Sequence, residues 1–352
     1  MSGGGEEREA GDGGRDPERE HASHPPHCTD ALRHADRHAT GQQVGIVGVV
    51  AVPLDHTGAP LCLLTVHAHP DDESSKGAGA VARYSDEGVH TVLVCCTGGE
   101  AGDILNPAVD TPEVRADLYA VRMRELQNAA DAIGYSAVHL LGYHDSGMPD
   151  SDDNARPDNF ANAPLDEAIE RLVRIIRAER PQVIITYAED RKWYPHPDHI
   201  RVHEISLPAF DAAGDPTRYP DSGPPWTPSK LYYTGFSRRR IEAMHEEFLR
   251  RGEESPYAGW FERELPEHAE RYSTFIDVGD WLHRRRAALL AHRTQVDPEG
   301  HWMRLPDSVM REIYPWEEFL LAESRVDNGV ADGDTEDDLF AGVRADVLEP
   351  RA

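Results

Sequence analysis

Two short apolar runs, each ending abruptly in histidine, proline and aspartate, constrain this chain more than any other feature. The first, Pro-Leu-Cys-Leu-Leu-Thr-Val at residues 60–66, runs into His67-Ala-His69-Pro-Asp71-Asp72-Glu73. The second, Gln-Val-Ile-Ile-Thr-Tyr at residues 182–187, is followed shortly by Tyr194-Pro-His196-Pro-Asp198-His199. Runs this short and this rich in aliphatic residues suit strands buried on both faces, as in a parallel sheet enclosed by helices. Open α/β sheets bind ligands in the crevice beyond the carboxyl ends of their strands. The two polar clusters are therefore expected to face one another across adjacent strand ends.

The remainder alternates strand and helix. The periodicity predicts a helix over 77–88, a strand over 90–97, a long helix over 113–133 closed by Gly134, a strand over 137–141 and a helix over 165–179 stopped by Pro181. A further helix starts at Pro197 and runs to 213, and weaker signals place strands at 230–234 and 273–278 and helices at 238–251 and 281–292. This pattern predicts one α/β domain over residues 45–325, a doubly wound, mostly parallel Rossmann-like sheet with helices on both faces. Residues 1–44 hold almost no apolar side chains and are expected to be a disordered tail. Their histidines and Cys28 fit no structural zinc spacing. Residues 326–352 are expected to form an acidic, flexible extension.

Composition excludes whole classes of partner. With 64 acidic against 36 basic residues the net charge is -28, opposite to what nucleic acid or an anionic membrane requires. No secretory leader and no apolar stretch of membrane-spanning length is visible, so a cytoplasmic protein is expected. The four cysteines, Cys28, Cys62, Cys95 and Cys96, form neither a zinc pattern nor a disulfide framework, which agrees with a reducing compartment.

The chemistry concentrates in the two clusters. His69 and Asp72, three apart at a strand end, can turn toward one point, and His199 completes a set of two nitrogens and one oxygen with a coordination position left open, as in catalytic rather than structural zinc. A divalent metal lowers the pKa of water toward neutrality. Asp71, next to a ligand without being one, is the expected general base. Pro197 suits the first turn of a helix, so His196 and His199 share a face. His196, oriented by Asp198, is expected to stabilise an oxyanion and protonate the leaving amine. Glu100, after Gly98-Gly99 at a strand end, is a candidate substrate contact. The bland alternative is a pair of surface loops at helix N-termini, where aspartate caps and proline begins helices. Two such clusters, each after a strand, argue against it.

These residues resemble a known family. Ala68-His69-Pro70-Asp71-Asp72-Glu73 together with His196-Pro197-Asp198-His199 is similar to the zinc-dependent de-N-acetylases that act on N-acetylglucosaminyl-phosphatidylinositol and N-acetylglucosaminyl-inositol, over residues 61–318. The resemblance is strongest to the amidase branch, through His67 to Gly77, Thr97-Gly-Gly-Glu100, Gly102-Asp-Ile-Leu-Asn-Pro107, Asp145-Ser-Gly147 and Ser237-Arg-Arg-Arg240. It implies the same roles for His69, Asp72 and His199 as zinc ligands, Asp71 as base and His196 with Asp198 as acid. It further implies that Arg122 and Asp145 hold glucosamine-inositol hydroxyls, that Tyr194 stands near the scissile carbonyl, and that Lys76 takes part in recognising a conjugate. One departure is the bulky approach Ala188-Glu-Asp-Arg-Lys-Trp193, where the amidases carry a glycine-rich segment.

The resulting expectation is hydrolysis of the amide between the cysteinyl group and glucosaminyl-inositol of mycothiol S-conjugates. The partner is a small-molecule thiol–sugar conjugate and the cofactor zinc, although Fe²⁺ accepts the same ligands. Alternatives are de-N-acetylation of N-acetylglucosaminyl-inositol, cleavage of a related thiol–sugar conjugate in specialised metabolism, or a non-catalytic conjugate binder. A two-metal phosphoesterase would call for more ligands than these clusters offer.

Overall fold

A computed structural model describes residues 52–191, 194–261, 271–331 and 333–345. The histidine-rich segment 1–44, and Lys192 and Trp193 of the loop before the second cluster, lie outside the described residues.

The apolar runs form strands. β1 (Cys62–His67), β2 (His90–Thr97), β3 (Ala137–Tyr143), β4 (Val183–Tyr187), β5 (Lys230–Gly235), β6 (Thr274–Asp277) and β7 (Trp316–Ser324) make one sheet in the order β3-β2-β1-β4-β5-β7-β6. The first five in that order run parallel. β7 lies antiparallel to both β5 and β6. The chain builds outward from β1 through β2 to β3, then returns to the other side of β1 with β4. The gap beyond the carboxyl ends of β1 and β4 is thus the topological switch point, where doubly wound sheets bind ligands. Both histidine clusters fall there.

The helices are α1 (Asp72–Ser75), α2 (Ala78–Asp86), α3 (Pro112–Ala116), α4 (Leu118–Ile133), α5 (Leu165–Glu179), α6 (Pro197–Ala212), α7 (Arg238–Arg250), α8 (Leu282–Ala291) and α9 (Asp307–Ile313). Alternation along the first strand divides the core between two layers. Leu61 and Leu63 pack with Val81, Ala129 and Ala288, from α2, α4 and α8. Cys62, Leu64 and Val66 pack with Leu172, Val202 and Phe210, from α5 and α6. Each fully buried aliphatic side chain contributes about 1.5–3 kcal/mol, so both faces of the strand anchor the loop that follows it. Cys62, Cys95 and Cys96 are free and buried. Among the described residues no helix is long and apolar enough to cross a membrane.

Three expectations are corrected. The long helix over 113–133 is broken at Asp117, whose backbone leaves the helical region and whose carboxylate accepts from the Ala120 amide at 3.2 Å. An aspartate that can cap a helix competes with the helix passing through it. Strand β7 was hidden by Glu317 and Glu318, which interrupt its apolar pattern yet are buried. Glu317 accepts from the amides of Gly79 and Ala80 at 3.2 and 2.8 Å, at the positive end of α2. Glu318 accepts from Ser237 Oγ at 2.6 Å.

The third correction concerns the acidic extension. Residues 336–345 fold back onto the sheet, with Leu339, Phe340 and Val343 in the core. Glu336, 3 % exposed, accepts from Lys230 Nζ, Tyr232 Oη and Thr274 Oγ1. Acidity marked this stretch as solvated; three apolar residues and one well-partnered carboxylate outweigh it.

Candidate metal centre

Asp72 opens α1, and its Oδ2 accepts from the His69 amide at 3.0 Å, folding the carboxylate back toward the imidazole. His69 Nδ1 lies 3.5 Å from that oxygen. His199 Nε2, from the first turn of α6, lies 3.3 Å from it. Two corners of a tetrahedron with bonds of about 2.0–2.1 Å are separated by about 3.4 Å. His199 Nε2 is buried and makes no hydrogen bond, an orphaned polar atom of the kind a metal satisfies. Burial pushes the His199 pKa down to about 4, leaving its lone pair free. Burial works against ionisation of Asp72, but His199 and Lys76 outweigh it and hold that carboxyl well below its usual range. Two imidazoles and one ionised carboxylate fit a divalent metal, with room for further ligands.

The other nitrogen of His69 is held from behind. Its Nε2 is 3.1 Å from Asp198 Oδ2 and 3.6 Å from Asp145 Oδ1. Such carboxylate–imidazole pairs fix the ring and the face it turns to a metal. Burial disfavours a charged His69, yet Asp145 and the neighbouring carboxylates prevail and raise its pKa well above the ordinary value.

The expected pairing of the Asp198 carboxylate with His196 is corrected by this arrangement. That carboxylate accepts from Ser146 N at 2.9 Å and from Ser146 Oγ, besides its contact with His69. The backbone amide of Asp198 instead donates to His196 Nδ1 at 3.2 Å, with His196 as N-cap of α6. An imidazole whose Nδ1 accepts carries its single proton on Nε2. Burial and the nearby His69 lower the His196 pKa, so the neutral donor form is favoured.

Asp71 stands beside the donor set and outside it. Its backbone has φ 118° and ψ -27°, a region that costs a residue other than glycine about 1–3 kcal/mol. The strain is held by Asp71 N donating to Glu73 Oε2 at 2.9 Å and by Ser74 and Ser75 amides donating to Asp71 O at 3.1 Å. Glu73 is in turn gripped by His292 Nε2 at 2.6 Å, from the end of α8. The Asp71 carboxylate accepts from Arg122 Nη2 at 3.1 Å. Arg122 is 2 % exposed and also donates to the carbonyls of Pro70 and Gly99, so it ties the loop after β1 to the loop after β2. Gly99 permits this approach: at φ 67°, a Cβ there would lie 2.4 Å from the guanidinium carbon.

Burial raises the Asp71 pKa, and Arg122 is the main group opposing that rise. In the proposed role of base Asp71 must be ionised, and activity would then fall as pH drops through this pKa. Arg122→Met removes the opposing charge, raises the pKa further and is expected to move the acid limb of kcat/KM to higher pH. A pH–rate profile in which that limb stays in place would reject the pairing.

The remaining candidates separate. Lys76 donates from Nζ to Asp72 Oδ1, the oxygen turned away from His199, and lies 5.7 Å from the Tyr187 ring centroid. Asp145, 2 % exposed, faces His69 and accepts from the Gly147 amide at 2.8 Å. Tyr194 is 50 % exposed, with its ring 4.7 Å from that of His199. Glu100 is not part of the metal cluster; with Tyr119, His144 and Asp158 it lines a cleft of about 310 Å³ beyond β2 and β3.

Sequence reasoning missed four supports. Tyr187, the last residue of β4, stacks on His199 at 4.7 Å and 10° and hydrogen-bonds His67 Nδ1 at 2.9 Å. His67 and Ser146 lie inside motifs already singled out, but nothing local marked their roles. The Glu73–His292 pair spans 219 residues, and no spacing rule could reach it.

A buried set of two histidines and one carboxylate with a separate carboxylate beside it, at the switch point of a doubly wound sheet, is the arrangement of a metal-dependent hydrolase. The family model described as "PIG-L: GlcNAc-PI de-N-acetylase" matches residues 64–210. The mycothiol S-conjugate amidase of Streptomyces coelicolor is 45 % identical over 292 residues, covering 81 % of this chain and 98 % of that protein. The chain belongs to the GlcNAc-PI de-N-acetylase family. A 1D-myo-inositol 2-acetamido-2-deoxy-α-D-glucopyranoside deacetylase of Geodermatophilus obscurus is 38 % identical over 290 residues, with 80 % and 97 % covered. In three dimensions the N,N'-diacetylchitobiose deacetylase of Pyrococcus horikoshii shares the fold, at a TM-score of 0.53, 18 % identity, and 74 % and 83 % coverage.

Proposed function

We propose that this chain hydrolyses the amide between the cysteinyl group and glucosaminyl-inositol of mycothiol S-conjugates, with zinc in the His69–Asp72–His199 site. One observation carries the reading: the Asp71 carboxylate, 3.1 Å from Arg122, stands next to the metal donors without belonging to them. A site built only to bind metal or sugar has no use for a strained, uncoordinated carboxylate there. The higher identity to the Streptomyces amidase, 45 % against 38 % for the Geodermatophilus deacetylase, supports the amidase reading over the deacetylase one.

A metal in this site supplies Lewis acidity and lowers the pKa of water toward neutrality. Asp71 takes the proton of the attacking water. His196, with Nδ1 committed to the Asp198 amide, donates from Nε2 to the carbonyl oxygen as charge develops, an interaction typically worth about 2.7–4 kcal/mol. The proton held by Asp71 is the one available to the departing amine. Ser146, Asp198 and Asp145 keep His69 oriented, and Lys76 keeps Asp72 turned. The products are an N-acetylcysteine conjugate, with its new carboxylate, and glucosaminyl-inositol.

The test presents zinc-loaded protein with a mycothiol S-conjugate and N-acetylglucosaminyl-inositol side by side. Faster release of the N-acetylcysteine conjugate than of acetate is expected. Faster acetate release would transfer the chain to deacetylation, and no turnover of either by protein holding one metal would overturn the proposal. Loading with Fe²⁺ in parallel decides between the two metals.

A further inference from the structure

Ser237-Arg-Arg-Arg240 begins α7 at the carboxyl end of β5, and the hydrolytic reaction makes no use of its arginines. Arg238 is exposed and pairs with Glu242 at 2.7 Å. Arg240 is turned inward, 5 % exposed, with its guanidinium 4.8 Å from the Phe236 ring centroid. Its Nη1 lies 3.3 Å from Glu318 Oε2, but its Nε is buried with no hydrogen bond. Arg240 lines a small cavity together with Arg285 of α8. The Arg285 guanidinium sits 5.8 Å from the Trp302 ring centroid, and its Nε is likewise buried and unbonded.

The nearby acids are committed elsewhere. Glu318 also accepts from Ser237 Oγ at 2.6 Å. Asp307 faces Arg286 at 3.5 Å. Glu317 is held by the amides of Gly79 and Ala80. Among the described residues no carboxylate lies within ion-pair distance of Arg285; Glu317 and Asp307 act on it from farther away. Burial and the charge of Arg240 push the Arg285 pKa down to about 10, which agrees with two like charges facing one cavity. A buried Nε–H left without an acceptor, as on both arginines, is costly unless a ligand satisfies it.

We propose that this cavity binds a small monovalent anion, a halide or a single carboxylate head, between the Arg240 and Arg285 guanidiniums. The free space of about 30 Å³ holds about two waters, room for chloride or the two oxygens of a carboxylate. Besides Arg286 and Asp307, which face each other at 3.5 Å, the wall is largely apolar, with Met244, Leu282, Leu289 and Met310, which favours a weakly hydrated ion over a doubly charged one. The two unbonded Nε–H groups supply donors the anion would accept from.

The test uses the full-length protein in the sodium salt of HEPES, a bulky sulfonate without a carboxylate head, exchanged stepwise for chloride or formate at fixed ionic strength. Ligand linkage predicts a saturable rise of several degrees in the thermal midpoint. A response to formate at lower concentration than chloride would identify a carboxylate as the preferred occupant, and the reverse a halide. Arg285→Met keeps the apolar stem and removes one of the two guanidiniums with its unbonded Nε. It is expected to abolish the saturable response while melting no lower than wild type in HEPES. Equal responses in variant and wild type, or none in wild type, would overturn the proposal. Crystals soaked in bromide give an independent reading: an anomalous peak between the two guanidiniums is expected, and its absence with the site open to solvent counts against it.

Discussion

Asp71→Asn is expected to lower turnover about 10²- to 10⁴-fold while the protein still binds one metal per chain. The substitution keeps the shape of the side chain. Asparagine tolerates positive φ better than most residues, and its oxygen can still accept from Arg122, so the loop of His69, Asp72 and Glu73 has no reason to move. What it removes is the capacity to take a proton. Metal content by elemental analysis and turnover of a conjugate are measured on the same preparation. Loss of both together would make Asp71 a ligand or a folding residue, and retention of both would show that the base lies elsewhere. His199→Ala provides the contrast, since it deletes a metal donor whose Nε2 has no other partner. That variant should lose metal and turnover together.

The second large effect concerns stability. Lys230→Met is expected to cost about 3–5 kcal/mol. Lys230 is fully buried, and its Nζ donates to Glu336 and to the Ala341 carbonyl, which pins residues 336–345 against β5. Methionine fills much of the space but leaves the Glu336 carboxylate buried with only neutral donors from Tyr232, Thr274 and Asn328. A buried charge that loses its counter-charge is worse than a buried pair lost whole. Adding Glu336→Gln should therefore restore a large part of the loss. Urea unfolding checks this, through a lower midpoint at unchanged slope for the single variant and a partial recovery for the double one. A single-variant loss below about 1 kcal/mol would mean that the carboxylate finds water or another partner.

Both predictions rest on features with different standing in the sequence. His69, Asp71, Asp72, His196 and His199 were legible because a strand end and a helix start are local events. An apolar run stops, a proline follows, and the polar side chains between them have few directions to take. The doubly wound, mostly parallel sheet was legible for the same reason, since strands buried on both faces are written as unbroken aliphatic runs. Arg122 read equally well as a solvated helix residue, because only its approach to Gly99 and Pro70, from a separate loop each, makes it a support of Asp71.

What the chain determined by itself was which side chains are the candidate metal donors and candidate base, and the class of fold that carries them. Only the tertiary structure decided how they are held. Asp198 turns its carboxylate to Ser146 and His69 and gives His196 its amide, because the helix start at Pro197 aims that amide at Nδ1. Glu73 meets His292 across 219 residues. Glu317, Glu318 and Glu336 are buried despite their charge because amides, hydroxyls, an arginine and a lysine converge on them from other elements. Local sequence fixes which groups a segment can offer. Whether a charge is affordable in the interior depends on partners the segment does not contain, and those are supplied only when the elements pack.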